Sequence, residues 1–204
     1  MTRSLRIGLL HLAPELGALD ENRALIESAT RLAAGFGADW IVSGELVVPG
    51  YRFAPLLETE WIDEQPDVWL RRLAEVSAEF GVVSFVSHPE RDRGSGRLFN
   101  SLLVIGRDGR LLGRQRKLRP TPASESWASP GELGRPILVD DIQVGLLICA
   151  DAYVPQAARR LRADRAQLLV SSAAWWPGEW APNGEGSAHA RDRFTADRLQ
   201  PHWS

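Results

Sequence analysis

The chain has 204 residues, 44% of them hydrophobic and 25% charged, with 24 basic side chains against 26 acidic for a net charge of −2. That length and composition suit one globular domain, residues 1–204, with a sizeable core, and the interspersed charges leave no face set up for nucleic acid or a membrane surface. The single cysteine rules out an internal disulfide and fits a reducing, cytoplasmic setting, while no apolar run approaches the ~20 residues that cross a bilayer.

In chain order, residues 5–13 read as a short apolar strand rather than a signal peptide. Asp20 is placed to cap a helix running to about Phe36, with Leu25, Ile26, Ala29, Leu32 and Ala33 on its apolar face and Gly35 and Gly37 at its end. Residues 40–43 are a second strand, with Glu45 just past its carboxyl end, followed by a Pro- and Gly-bearing loop through Tyr51. A second helix spans 67–80 and stops at Gly81, and strands follow over 82–87 and 98–105. The Asp108-Gly109 pair signals a hairpin into a strand over 111–118 that carries Lys117 near its end. After a long loop, 120–134, residues 137–139 and 142–149 form another hairpin. Residues 151–165 read as a turn and a helix with Pro155 near its first position, 167–174 as a buried strand, and 188–199 as a last helix beyond a Trp/Pro/Gly loop. This order predicts a layered α/β domain with mixed sheet.

The stretch from Ile142 to Asp151 carries the chemistry. Its aliphatic run reads as a strand buried on both faces that ends in the only cysteine, Cys149, where the chain turns towards a helix. Open α/β folds place reactive groups at that edge, and a helix amino terminus lowers a thiol pKa. A lone cysteine in such a strand also fits plain packing, a glutamate at a strand end also fits a salt bridge, and a lysine near a hairpin also fits solvent. Their joint placement is what points to acyl transfer. Glu45, Lys117 and Cys149 end three separate strands: a base for the thiol, an ammonium for an oxyanion, and a nucleophile. The four histidines show no zinc or Cys-His spacing, and no metal site or cofactor motif is present.

Three blocks, in order, resemble the nitrilase superfamily, the carbon–nitrogen hydrolases. Gly44-Glu45-Leu46-Val47-Val48-Pro49-Gly50-Tyr51 resembles its glutamate block, Arg116-Lys117-Leu118-Arg119-Pro120-Thr121 its lysine block, and Gly145-Leu146-Leu147-Ile148-Cys149-Ala150-Asp151 its nucleophile block. The gaps of 72 and 32 residues match, as do Asn22, Gly37-Ala38-Asp39, Phe99-Asn100-Ser101, Trp127 and Pro130-Gly131. The resemblance covers about residues 5–180. It implies an α-β-β-α sandwich with mixed sheets that commonly dimerises. It also implies Cys149 as nucleophile, Glu45 as general base and acid, and Lys117 as oxyanion stabiliser. Glu125, 8 residues after Lys117, matches the family's second glutamate, with substrate positioning or support of Lys117 as its role, and the backbone N–H of Ala150 is the implied second oxyanion donor.

The chain departs from the family at Gly44, where proline is common, and at Ala150, where an aromatic residue is common. Ala150-Asp151 resembles the amidase branches more than true nitrilases. The sandwich is expected to lack the family's last strands, because the sequence after the final helix does not resemble their continuation. The expected activity is hydrolysis of a small linear amide or carbamoyl compound through a Cys149 acyl-enzyme, without a cofactor. A nitrilase or a soluble acyltransferase stands as the alternative within enzymes, and a shortened binding or structural subunit as the alternative outside them. Tyr51, Trp127, Trp175 and Trp176 are candidate pocket walls or, equally, core residues. The uncharged strand over 168–174 is expected to be an edge that drives self-association, most simply as a homodimer.

Overall fold

The structure, a computed structural model, describes residues 4–174. The chain divides into two compact units, Met1–Ala173 and Ala174–Ser204, and the architecture below is that of the first. The expected helix over 188–199, and Trp175 and Trp176, lie outside the described residues.

Among the described residues eight strands form two mixed sheets. The first sheet holds β1 (Ile7–Leu10), β2 (Trp40–Ser43), β3 (Val83–Arg91), β4 (Leu98–Ile105) and β5 (Leu111–Arg116), side by side in chain order. β1, β2 and β3 run parallel, joined by crossovers that contain α1 (Leu19–Gly35), then the short α2 (Ala54–Leu57) and α3 (Val68–Phe80). β3, β4 and β5 are antiparallel neighbours. The second sheet orders β6 (Ile137–Val139), β7 (Ile142–Ile148) and β8 (Leu168–Ser172), with β6 antiparallel and β8 parallel to β7. A 3₁₀ turn, Cys149–Tyr153, leads from β7 into α4 (Pro155–Ala163).

The period-2 alternation of the strands sorts their side chains into layers. Trp40, Val42, Phe85, Leu102 and Val104 of the first sheet meet Val139, Val144, Leu146, Ile148 and Val170 of the second in one core. The intervening residues Val86, Leu103 and Ile105 turn outwards and pack with Ile26 of α1 and Trp69, Leu70 and Leu73 of α3. Leu147 turns outwards on the other side, onto Ala157 and Leu161 of α4. The layers are therefore helix, sheet, sheet and helix, as expected.

Several local expectations need correction. α1 starts one residue before Asp20, and its N-cap, Ala18, makes no side-chain capping bond; Asp20 pairs instead with Arg23. The buried stripe of α1 is Asn22, Ile26 and Thr30, while Leu25 and Leu32 are exposed. Asn22 is buried because its amide donates to the carbonyls of Glu15 and Val48 and accepts from Glu15 N–H, binding the loop after β2 to the helix start. β3 runs on to Arg91, past the expected end at 87, because Pro89 and Glu90 pair in register with Asn100 and Phe99. The capping of α3 is as its sequence implies: the Asp67 carboxylate accepts from Leu70 N–H at 2.7 Å, and Gly81 closes the helix at φ +62°.

Candidate active site

The ends of β2, β5 and β7 meet. Just past β2, Glu45 is buried at 3% exposure, and just past β5, Lys117 is fully buried. Lys117 Nζ donates to Glu45 Oε1 at 2.7 Å and to Glu125 Oε2. Asn100 Nδ2 donates to Glu45 Oε1 at 2.9 Å and to Glu125 Oε1 at 2.6 Å. One ammonium and one amide thus hold two buried carboxylates. Burial pushes the Lys117 ammonium towards its neutral form, but the Glu45 and Glu125 carboxylates outweigh it and hold its pKa above the ordinary lysine range. A buried cation kept charged by its partners suits stabilisation of a developing oxyanion. An ammonium carries three donors, and two are directed at the carboxylates.

Tyr51 closes this cluster on one side. Its ring lies 5.6 Å from Lys117 Nζ, within cation–π range, and its hydroxyl donates to Glu125 Oε2 at 3.3 Å and accepts from Ser124 Oγ at 3.0 Å. Burial, first of all, pushes its phenol up to about 12. Trp127 packs on Phe53, ring centroids 5.1 Å apart, in a neighbouring cluster with Leu46, Ile62 and Trp61. Its indole N–H is buried without a hydrogen-bond partner among the described residues.

Cys149 does not close the strand, as its sequence suggests, but opens the 3₁₀ turn after it, at φ +46°. A left-handed backbone at a non-glycine residue costs about 1–3 kcal/mol and persists where surrounding structure imposes it. The α-helix starts only at Pro155, so the thiol sits at the head of a 3₁₀ turn rather than of the helix. Leu46, directly after Glu45, is likewise left-handed at φ +48°.

Two ties bring the Cys149 turn to the charged cluster. The first is Asp151, fully buried in that turn. Its carboxylate accepts from Leu118 N–H at 3.0 Å, Arg119 N–H at 3.1 Å and Ile148 N–H at 3.3 Å. It clamps the nucleophile turn onto the two residues that follow Lys117. Burial raises its pKa against these N–H groups and Lys117, which oppose the shift. The second tie runs through β8. Ile148 pairs with Ser172, whose hydroxyl donates to the Ser43 carbonyl at 2.9 Å, and Glu45 N–H donates to the Ala173 carbonyl at 3.3 Å. The neighbours of Cys149 are therefore bonded to the neighbours of both Glu45 and Lys117. Gly131 secures Lys117 from outside: its N–H donates to the Lys117 carbonyl at 2.8 Å, and a Cβ there would lie 2.5 Å from the Arg116 side chain.

With this geometry in hand, comparison with known proteins is decisive for the family. The carbon-nitrogen hydrolase model matches residues 6–194. The chain belongs to the carbon-nitrogen hydrolase family. Among its relatives, a nitrilase from Pyrococcus abyssi is 28% identical over 171 residues, covering 82% of this chain and 64% of that protein. A formamidase from Bacillus cereus is 28% identical over 132 residues, covering 61% of this chain and 40% of the relative. An amidase from Nesterenkonia sp. superposes with a TM-score of 0.72 at 24% identity, over 84% of this chain and 65% of that one. This carbon-nitrogen hydrolase family member thus spans less than two thirds of the length of each of these relatives.

Of the residues singled out from the sequence, Glu45, Lys117, Glu125 and Tyr51 form one cluster, Ala150 lies in the Cys149 turn, and Trp127 lies in the adjoining aromatic cluster. Sequence reasoning gave no role to Asn100 or to the side chain of Asp151. Both stand inside family-like blocks, but an amide or a carboxylate reveals its partners only when strands far apart in sequence meet.

Proposed function

We propose that this chain is a thiol amidase, cleaving a non-peptide carbon–nitrogen bond in a small linear amide or carbamoyl compound. The observation that carries the reading is the buried Glu45–Lys117–Glu125 cluster, tied through Asp151 to the strained turn that begins with Cys149. In the proposed mechanism, Glu45 takes the Cys149 proton and the thiolate attacks the carbonyl carbon. The third N–H of Lys117, with Ala150 N–H, holds the oxyanion. Glu45 returns the proton to the leaving nitrogen, and ammonia or an amine departs. Water then attacks the thioester as Glu45 accepts its proton, and the acid and the free thiol are released. Glu125 keeps Lys117 in place, and Tyr51 lines the entry.

The setting proposed is cytoplasmic and the assembly a homodimer, supported by the single cysteine and by exposed apolar side chains on the second sheet. Among the described residues no helix is long and apolar enough to cross a membrane. The test is a panel of short aliphatic amides, ureas, carbamoyl compounds and nitriles, with ammonia release and product mass measured. Ammonia from an amide or urea, abolished in Cys149→Ser, supports the reading. Turnover of nitriles alone would move the assignment to a nitrilase, and no turnover with an unreactive Cys149 would move it to a binding or structural subunit.

A further inference from the structure

The proton-transfer role of Glu45 leaves a physical problem. Glu45 and Glu125 are both nearly fully buried, and both bond to the same ammonium. Two carboxylates sharing one cation at close range repel each other, and such a pair relieves the strain by taking up a proton. A base that already holds a proton cannot accept one from a thiol. Thr121 N–H at 2.9 Å and the Tyr51 hydroxyl at 3.3 Å donate to Glu125, so the group sought is one that donates to both carboxylates and favours the doubly ionised pair.

We infer that Asn100 is that group: a positioning residue whose amide keeps Glu45 in its proton-accepting form and fixes its separation from Glu125. Its nitrogen spans Glu45 Oε1 at 2.9 Å and Glu125 Oε1 at 2.6 Å. Ionised carboxylates only accept, so the nitrogen rather than the oxygen of the amide faces them. The other end is fixed as well. Asn100 Oδ1 accepts from Ser87 Oγ at 3.4 Å, and that hydroxyl accepts from Leu46 N–H at 2.9 Å, the residue next to Glu45. The Asn100 carbonyl accepts from Lys117 N–H at 2.8 Å. One fully buried residue therefore touches both carboxylates by its side chain and the ammonium-bearing residue by its backbone, and the Ser87 hydroxyl, donating to Oδ1, favours this orientation of its amide. Lys117 supplies charge to the pair; Asn100 supplies direction, and adds no charge that would compete for the oxyanion.

This inference rests on Glu45 as the base for Cys149, so the experiment separates the two. The rate of Cys149 alkylation by iodoacetamide is measured against pH by mass spectrometry, which needs no substrate. In Glu45→Gln the acidic limb of that profile is expected to vanish or change shape. An unchanged limb there removes Glu45 as the base and overturns the inference about Asn100 with it, whereas a limb that changes in Glu45→Gln but not in Asn100→Ala overturns the inference alone. In Asn100→Ala the limb is expected to move about one pH unit higher, the worth of one hydrogen bond to a charged group, with a roughly fivefold slower rate at the pH of the wild-type midpoint. Asn100→Ser, which keeps one donor, is expected to fall between. A purely structural Asn100 would lower the melting temperature and leave the limb where it is, and that result overturns the inference. The wild-type protein offers an independent reading should the variants not fold. Selective ¹⁵N labelling marks only three asparagines, and the Asn100 side-chain amide protons are expected to shift with pH along the same midpoint as alkylation. Amide protons that do not titrate with the thiol's reactivity overturn it equally.

Discussion

Single residues here carry two separable burdens. Cys149 carries the proposed chemistry in a backbone conformation that only its neighbours make tolerable. Cys149→Ser keeps size and φ, so the fold should persist, while a hydroxyl is far harder to ionise than a thiol; turnover is expected to fall at least about a thousandfold, read by ammonia release. His88 carries no part of that chemistry. It lies on the helix-facing side of β3, fully buried between Trp61 and Trp69, with Nδ1 donating to the Pro89 carbonyl at 2.6 Å. Burial pushes its pKa below the ordinary histidine value, against the pull of Asp67 and Glu90 and with that of Arg23. The sign follows from where the proton goes. Below about pH 6.5 the unfolded chain protonates this histidine while the folded protein leaves it neutral. Its contribution therefore favours unfolding increasingly as pH falls from about 6.5 towards the folded pKa, and is constant above. Urea midpoints at neutral pH and near pH 5 should show a smaller loss of stability on acidification in His88→Gln than in the wild type. Equal losses would assign that pH dependence to other groups.

At the scale of elements, the site is a set of strand ends pinned by buried polar contacts. Asp151 does the most in this respect, since one carboxylate satisfies N–H groups of β7 and of the segment after β5. Asp151→Ala leaves buried donors unpaired and unties the Cys149 turn from Lys117. A loss of about 3 kcal/mol is expected, at about 1–3 kcal/mol per unsatisfied buried group, measured by urea unfolding. Slower alkylation of Cys149 should accompany it. A variant as stable as the wild type would show that the turn is held by its own backbone. The Asp140-Asp141 turn between β6 and β7 works differently. Both residues are left-handed, as a tight hairpin between twisted strands requires, and Asp140 also anchors Arg107 and the Trp40 indole.

For the whole molecule, the layers are unequal. α1 and α3 cover the first sheet, whereas α4 alone, among the described residues, covers the second. Leu138 and Leu169 stand on the outer face of that second sheet at 56% and 43% exposure, and among the described residues β8 is its edge strand. Apolar side chains beside an open edge favour association. Light scattering at micromolar concentration is expected to report a dimer of the 22.6-kDa chain; a monodisperse, cooperatively unfolding monomer would refute this.

Local patterns determined much of this protein. The alternation of Leu102, Leu103, Val104 and Ile105 already separates an inner from an outer face, and Asp67 and Gly81 bracket α3 because capping is a matter of a few adjacent residues. The strand-end positions of Glu45 and Cys149 were legible too, since each follows a mainly apolar run where backbone pairing stops, whereas the strand before Lys117, Leu111-Leu112-Gly113-Arg114-Gln115-Arg116, is largely polar. What lay beyond the sequence was long-range. The burial of Asn22 rather than Leu25 on α1 depends on a loop carbonyl 26 residues away, and the extension of β3 through Pro89 depends on its partner β4. The 3₁₀ turn at Cys149 depends on Asp151 reaching across 33 residues to Leu118. Asn100 matches a family block in the sequence, but its role shows only when folding brings Glu45, 55 residues before it, and Glu125, 25 after it, to the same amide nitrogen. Propensity and periodicity act over a turn or two of chain, whereas a buried hydrogen bond takes its partner from whatever the packing of two sheets delivers.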